Sequence, residues 1–157
     1  MQTLRTLLQQ VLLAGSALAA DLTASVTGVI EGDVIQVVHE GRSEKVRLNG
    51  IDCPEKGQDY SPHARQAMSE LVLRQDVTLH MFGKDKYDRT IADVFLPDGT
   101  NVNHRLVEEG WCWWYRKHAP DDTELERLER EARDAKKGLW QDPHPVPPWA
   151  YRRAKGE

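Results

Sequence analysis

The sequence has no excess of positive charge. Lysine and arginine total 21 against 25 aspartates and glutamates, a formal net charge of -4. This removes any global attraction to a polyanion and argues against a protein that coats nucleic acid through a broad basic face, although a local site can still concentrate a few cations. Six histidines are present (His39, His63, His80, His104, His118 and His144), but none shares a metal-ligand spacing with another, so they read as structural or surface residues. There is no internal repeat and no apolar run long enough to span a bilayer. Cysteine is scarce. Cys53 and Cys112 are the two in the chain, and they can form one bridge or stand as separate buried thiols, because sequence alone does not place their Cα atoms.

Acidic residues are missing altogether from Met1 to Ala20, which carries Arg5 near its start and then runs apolar to Ala17-Leu18-Ala19. The segment has the pattern of a secretory signal with a small-residue cleavage site. Residues 1-20 are therefore expected to be removed, with no stable membrane anchor left afterwards. Export would put the two cysteines in an oxidising compartment, where a disulfide persists.

The rest is the size of one globular domain, expected over residues 21-142 and followed by a proline-rich tail at 143-157 that is either extended or disordered. Three β segments are predicted at Thr23 to Ile30, Asp33 to His39 and Glu44 to Ile51, with Glu31-Gly32 and Glu40-Gly41 supplying turn chemistry. Ser61-Pro62 reads as an N-cap and first helical residue. Ala64, Ala67, Met68, Leu71 and Val72 then form an apolar stripe at helical spacing. Two further strands, Val77 to Phe82 and Thr90 to Leu96, flank the charged loop Gly83 to Arg89. A short helix around Val102 to Val107 and a longer one from about Asp122 to Lys137 complete the series. Five strands with a helix between the third and fourth fit an α+β, mainly β, five-stranded OB-fold Greek-key barrel with three helices. Five tryptophans in the C-terminal part, Trp113 and Trp114 among them, read as packing mass.

Three fragments carry chemistry. They are Glu31-Gly32-Asp33, Arg47 to Glu55, and Asp85-Lys86-Tyr87-Asp88-Arg89. Asp33 opens one strand and Asp52 closes its neighbour, so their carboxylates can converge at one end of the barrel as hard oxygen ligands suited to calcium, or to magnesium with more waters. Glu55, just past Pro54, is a candidate general base for an attacking water. Arg47 and Arg89 are candidate phosphate clamps, since guanidinium offers forked donors to phosphate. Each fragment also has a plainer reading. Asp33 can be a turn residue, Arg47 and Asp52 a surface pair, Glu55 a turn cap, and the lysines and arginine of the loop a solvated charge run.

Taken in order, these fragments resemble the staphylococcal nuclease (thermonuclease) family from about Thr23 to Trp140. The strand-turn signature appears as Glu31-Gly32-Asp33, the R-L-x-x-x-D-x-P-E signature as Arg47 to Glu55, the D-K-Y-x-R loop as Asp85 to Arg89, and a further segment as Asp98-Gly99, Val102-Asn103 and Leu106-Val107. The resemblance implies a calcium-dependent nuclease that cleaves DNA and RNA endo- and exonucleolytically, leaving 3'-phosphates. It implies Asp33, Asp52 and the backbone carbonyl of Cys53 as calcium ligands, Glu55 as base, and Arg47 and Arg89 as catalytic arginines. Lys86, Tyr87 and Tyr115 become the substrate-binding residues. It also brings Cys53 and Cys112 near the site, which favours a bridge between the Asp52 turn and the Trp111 to Trp114 segment. A periplasmic or secreted monomer is expected. Five positions depart from the family pattern. Arg116 falls where the family's second nucleotide-stacking tyrosine is expected, with Tyr115 beside it. Cys53 and Val34 stand where threonine is common, Glu31 where aspartate is, and Asp88 where glycine is usual. The rival expectation is a non-catalytic OB-fold module that binds nucleic acid or protein; retention of Glu55 and both arginines beside the two aspartates favours the enzyme.

Overall fold

The computed structural model describes residues 21–157; the expected signal segment lies outside the described residues. Alternating apolar positions build a closed barrel from β1 (Asp21–Glu31), β2 (Val34–His39), β3 (Arg42–Leu48), β5 (Asp76–Lys84) and β6 (Thr90–Phe95). The strand order is β1-β2-β3-β6-β5, with β5 returning to β1. Closure is made by the parallel pairing of β3 with β6, where Arg47 faces Ile91 in register. β2 and β3 are joined by the two-residue turn Glu40-Gly41, whose φ values of 47° and 75° are those of the hairpin turn that matches strand twist. Ile35, Val46, Leu48, Leu79, Ala92 and Val94 point inward and are fully or almost fully buried.

The third predicted strand is shorter than expected and divides in two. Asn49-Gly50 interrupts it, with Gly50 at φ 73°, and the chain resumes as β4 (Ile51–Asp52). β4 leaves the barrel and pairs antiparallel with β7 (Trp113–Trp114), so that Asp52 sits opposite Trp113. Asp52 therefore does not close the strand next to Asp33. It lies on a separate two-stranded ribbon folded over the barrel mouth.

α1 (Ser61–Val72) lies between β4 and β5 and buries Ala64, Ala67, Met68 and Val72 as its stripe requires. Its cap is Tyr60 rather than Ser61; Ser61 is already helical, and Pro62 occupies the first turn, where a missing N–H costs nothing. α2 (Val102–Glu108) is tied to the barrel by buried Asn103, whose side-chain carbonyl accepts from Val94 N and whose amide donates to Asn49 O. α3 (Thr123–Asp134) is capped by the Asp122 carboxylate, which accepts from Leu125 N at 2.9 Å. The helix ends three residues before Lys137, and Lys136 takes a left-handed φ of 53° ahead of a short 3-10 turn at Gly138–Gln141.

The tail differs most from expectation. It is neither wholly extended nor disordered, because Pro148 opens a fourth helix, α4 (Pro148–Ala154). Proline presets the first-turn φ, and alanine and arginine propagate a helix well. Trp149 on α4 packs edge-on against Trp113, with ring centroids 5.5 Å apart, and this contact seats α4 beside the barrel mouth.

Candidate active site

Local structure brings the three fragments to one place. Asp33 ends the tight β1–β2 turn, and its burial at 3% exposure removes it from the class of ordinary turn residues. The turn is close-packed. A Cβ on Gly32 would stand 2.8 Å from Ala64 Cβ and 2.9 Å from Cys53 Cβ, so glycine is required by space. Asp33 Oδ2 accepts the Cys53 amide hydrogen at 2.7 Å, locking the two segments together. Cys53 is itself buried and bonded to Cys112, with Cα atoms 4.2 Å apart. The bridge fastens the β4 ribbon to the segment that leads into β7.

Arg47 projects from β3 between the two aspartates. Its Nη2 lies 3.5 Å from Asp33 Oδ2 and 3.5 Å from Asp52 Oδ1, while Nη1 donates to Leu48 O at 2.6 Å. With the Arg47 side chain 14% exposed and Asp52 2%, this is an interior pair rather than a surface one. Burial pushes the Asp52 carboxyl above the usual carboxylate range, helped by the charge of Asp33 and opposed by the guanidinium groups around it. Glu31 at the rim is raised by burial and then by Asp33 and Glu55. The mouth thus gathers partly or wholly buried acidic groups whose charge has to be met by a cation, which Arg47 partly supplies.

Opposite them, the β5–β6 loop aims Arg89. Asp85 accepts from the amides of Tyr87 and Arg89 and from Arg89 Nε at 2.7 Å. Partial burial would raise the Asp85 carboxyl, but these hydrogen bonds outweigh it and hold it below its ordinary value. Asp88 takes the left-handed φ of 62° that aspartate tolerates where glycine is usual. Its carboxylate pairs with Lys84 at 3.2 Å, leaving Arg89 to Asp85.

Asp33, Arg47, Asp52, Glu55, Lys86, Tyr87, Arg89 and Tyr115 all line one cleft of about 400 Å³ at the barrel mouth. Cys53 and Cys112 are buried and do not line it. Lys117, His118 and Arg152 also line the cleft and were not anticipated from sequence. His118 packs on Tyr115 at 4.5 Å, and burial followed by the charges of Arg47, Lys117 and Arg152 lowers its pKa. Arg152, from α4, enters the acidic mouth. Nη2 donates to Asp52 Oδ2 at 2.8 Å, and Nη1 donates to Asp52 Oδ1 at 3.2 Å and to Glu55 Oε1 at 2.5 Å. The cluster of basic residues in the tail was the one sequence signal for it. A cleft with paired carboxylates, a further glutamate and guanidinium groups on separate elements can hold a cation and grip a phosphodiester at once.

Comparison with known proteins agrees with this geometry. The family model described as staphylococcal nuclease homologue matches residues 45–142. An uncharacterized endonuclease of Escherichia coli O157:H7 is 41% identical over 138 residues, covering 88% of this chain and 90% of that protein. A micrococcal nuclease of Shigella flexneri is 38% identical over 144 residues, covering 86% and 83%. Protein ParB of Escherichia coli is 40% identical over 152 residues, covering 91% and 86%. With a closed five-stranded barrel and these relatives in agreement, the chain belongs to the staphylococcal nuclease family of nucleic-acid-cleaving hydrolases.

Proposed function

We propose that the protein is an exported, calcium-dependent phosphodiesterase that cleaves both DNA and RNA as a monomer. The observation that carries this reading is the convergence of Asp33, Arg47, Asp52, Glu55 and Arg89 on one cleft. Asp33 and Asp52 form a hard-oxygen donor set of the kind calcium takes, and the carbonyl of Cys53 would be the third protein ligand. Among the described residues no group of three or more His, Cys, Asp or Glu side chains could hold a metal ion. The remaining donors would therefore be backbone oxygen and water, which calcium accepts readily. Calcium bound there would neutralise charge on a phosphate oxygen and acidify a neighbouring water.

The chain's own residues supply the rest. Glu55 takes the proton of the attacking water, which requires it to release its hydrogen bond from Arg152. Arg47 and Arg89 approach the phosphate from different strands and stabilise the charge that grows on its oxygens. Lys86 and Tyr87 hold a terminal phosphate and Tyr115 offers a ring face to a base. The family resemblance implies 3'-phosphate products. Export is supported by the signal-like pattern of residues 1-20 and by the Cys53–Cys112 bridge, which an oxidising compartment maintains. A periplasmic or secreted location follows from these, and no helix among the described residues is long and apolar enough to cross a membrane.

The test is direct. The protein is incubated with single- and double-stranded DNA and RNA in calcium, in magnesium and in chelator. Cleavage of both nucleic acids with calcium, abolished by chelator, is expected. Retention of substrate without cleavage under every condition would instead mark a non-catalytic oligonucleotide binder.

A further inference from the structure

A second cavity, about 670 Å³, opens between β7, α3 and α4. It adjoins the reaction cleft, and Lys86, Tyr87, Tyr115, Lys117 and Arg152 line both. Beyond that shared rim its walls are Trp114, Arg116, Arg133, Trp149 and Arg153, none of which reaches the cleft.

Two properties of this groove bear on its ligand. The first is charge. Lys86, Arg116, Lys117, Arg133 and Arg153 face it in a chain whose net charge is -4, beside Arg152, whose guanidinium is already engaged by Asp52 and Glu55. The opposing acids are Glu129 and Glu157, and Glu129 is 4% exposed and already engaged, accepting from Trp114 N at 3.1 Å and lying 3.3 Å from Arg133. The second is aromatic surface. Half-buried Tyr115 and Trp149 stack with centroids 5.5 Å apart and planes 22° from parallel, while Trp114 is 5% exposed and is covered by the Arg116 guanidinium, 4.7 Å from the centre of its ring. Flat rings interleaved with cations along a groove suit a strand whose phosphates repeat and whose base faces are free. A paired duplex hides those faces, and an acidic peptide has none.

We infer that this groove binds the unpaired DNA or RNA strand on one side of the scissile phosphate, several nucleotides from the reacting bond. The inference rests on the nuclease reading of the adjoining cleft. α4, which lies beyond the segment matched by the family model, supplies one wall of the groove through Trp149 and Arg153.

The test uses the full chain and the double charge reversal R116E/R153E, both positions being exposed and outside the cleft. Two substrates are compared, a nitrophenyl ester of a mononucleotide and a single-stranded dodecanucleotide in DNA and RNA forms. Binding of the labelled dodecanucleotides in chelator is followed by anisotropy against salt. The variant is expected to cleave the small ester as the parent does, while its KM for the dodecanucleotide rises on the order of tenfold. Loss of two phosphate contacts should also reduce the slope of log K against log salt by about 1.4, at about 0.7 per contact on a single strand. An unchanged KM and salt slope, with the ester still cleaved, overturns the groove and leaves the cleft reading standing. If the parent cleaves neither substrate, the cleft reading fails, and the anisotropy difference still decides the groove. Equal weakening for a duplex of the same length, or equal competition by polyglutamate, overturns the role of the rings.

Discussion

Arg152 and Asp52 are 100 residues apart in sequence, yet the guanidinium of one grips both oxygens of the other, at 2.8 and 3.2 Å. Asp52 is 2% exposed, so its charge has to be balanced from within the protein. Arg47 stands farther off at 3.5 Å and is shared with Asp33. Arg152 is therefore the main counter-charge to the carboxylate we assign to the ion, and its presence there and that of a calcium ion are alternatives on electrostatic grounds.

Arg152→Ala should accordingly have opposite effects in the two media. In chelator, a buried carboxylate loses its closest partner, and stability should fall by about 1–3 kcal/mol, less than for a wholly enclosed pair because Arg47 remains and Arg152 is partly solvated. In calcium the vacated mouth should bind the ion more tightly, so the calcium-dependent rise in stability should exceed that of the parent. Urea unfolding of both proteins in calcium and in chelator reads both effects. The same calcium-dependent rise in variant and parent would mean that ion and guanidinium do not compete.

Glu55→Gln keeps the size and much of the hydrogen bonding of the side chain while removing its capacity to take a proton. Turnover under saturating substrate should drop by about 10²- to 10⁴-fold, with little change in oligonucleotide affinity. Single-turnover cleavage and equilibrium binding separate the two quantities. A loss confined to affinity would assign Glu55 to substrate contact instead of proton transfer.

The barrel and most of the cleft were legible because their signals are local. The Glu40-Gly41 hairpin, the stripe of Ala64, Ala67 and Met68, and the helix starting near Asp122 follow from chemistry within a few residues of one another. The set Asp33, Arg47, Asp52, Glu55 and Arg89 was readable for a different reason: each fragment alone fits a plainer local role, and it is their joint order, resembling the staphylococcal nuclease family, that marks them. What escaped depended on distant packing. Gly50 divides β3 from β4 because its positive φ turns the chain toward β7, and Leu125 and Ala119 lie 3.0 and 3.1 Å from where its Cβ would be. α4 is seven residues long and follows a proline-rich stretch. Its position depends on Trp149 meeting Trp113 and Tyr115, contacts that no periodicity encodes. Arg152 was unreadable for the same reason.

The Cys53–Cys112 bridge closes a 59-residue span, for which chain-entropy reasoning gives about 4 kcal/mol of stabilisation. The double variant C53S/C112S should lose about 2–4 kcal/mol, and parent protein treated with reductant should approach it. Cys53 also adjoins Asp52 and donates its amide hydrogen to Asp33, so activity should fall before global unfolding begins. Denaturant titrations paired with activity at each denaturant concentration test this. Coincident loss of activity and fold in the variant would show that the bridge contributes only to global stability.

Glu129 provides a test of electrostatics away from the proposed ion. It lies beneath Trp114, accepting its amide hydrogen, with Arg133 at 3.3 Å and Arg116 at 4.0 Å. Burial outweighs these favourable contacts and raises its pKa above the usual glutamate range. The folded protein then binds a proton more readily at this site than the unfolded chain does. The contribution is full below the ordinary glutamate pKa and is lost as pH rises through the elevated one. Asp52, Asp93, Glu31 and Glu109 are raised in the same direction, while Asp85 is lowered and acts in the opposite sense. Total stability therefore reports a sum, and the difference between Glu129→Gln and the parent isolates one group. Glutamine cannot ionise, so the variant should lose less stability than the parent as pH is raised from the acidic limb of the titration toward neutrality. Urea midpoints measured in chelator across that interval provide the comparison. Parallel curves would mean that Glu129 titrates alike in both states, and a steeper loss in the variant would mean that Arg133 and Arg116 outweigh burial.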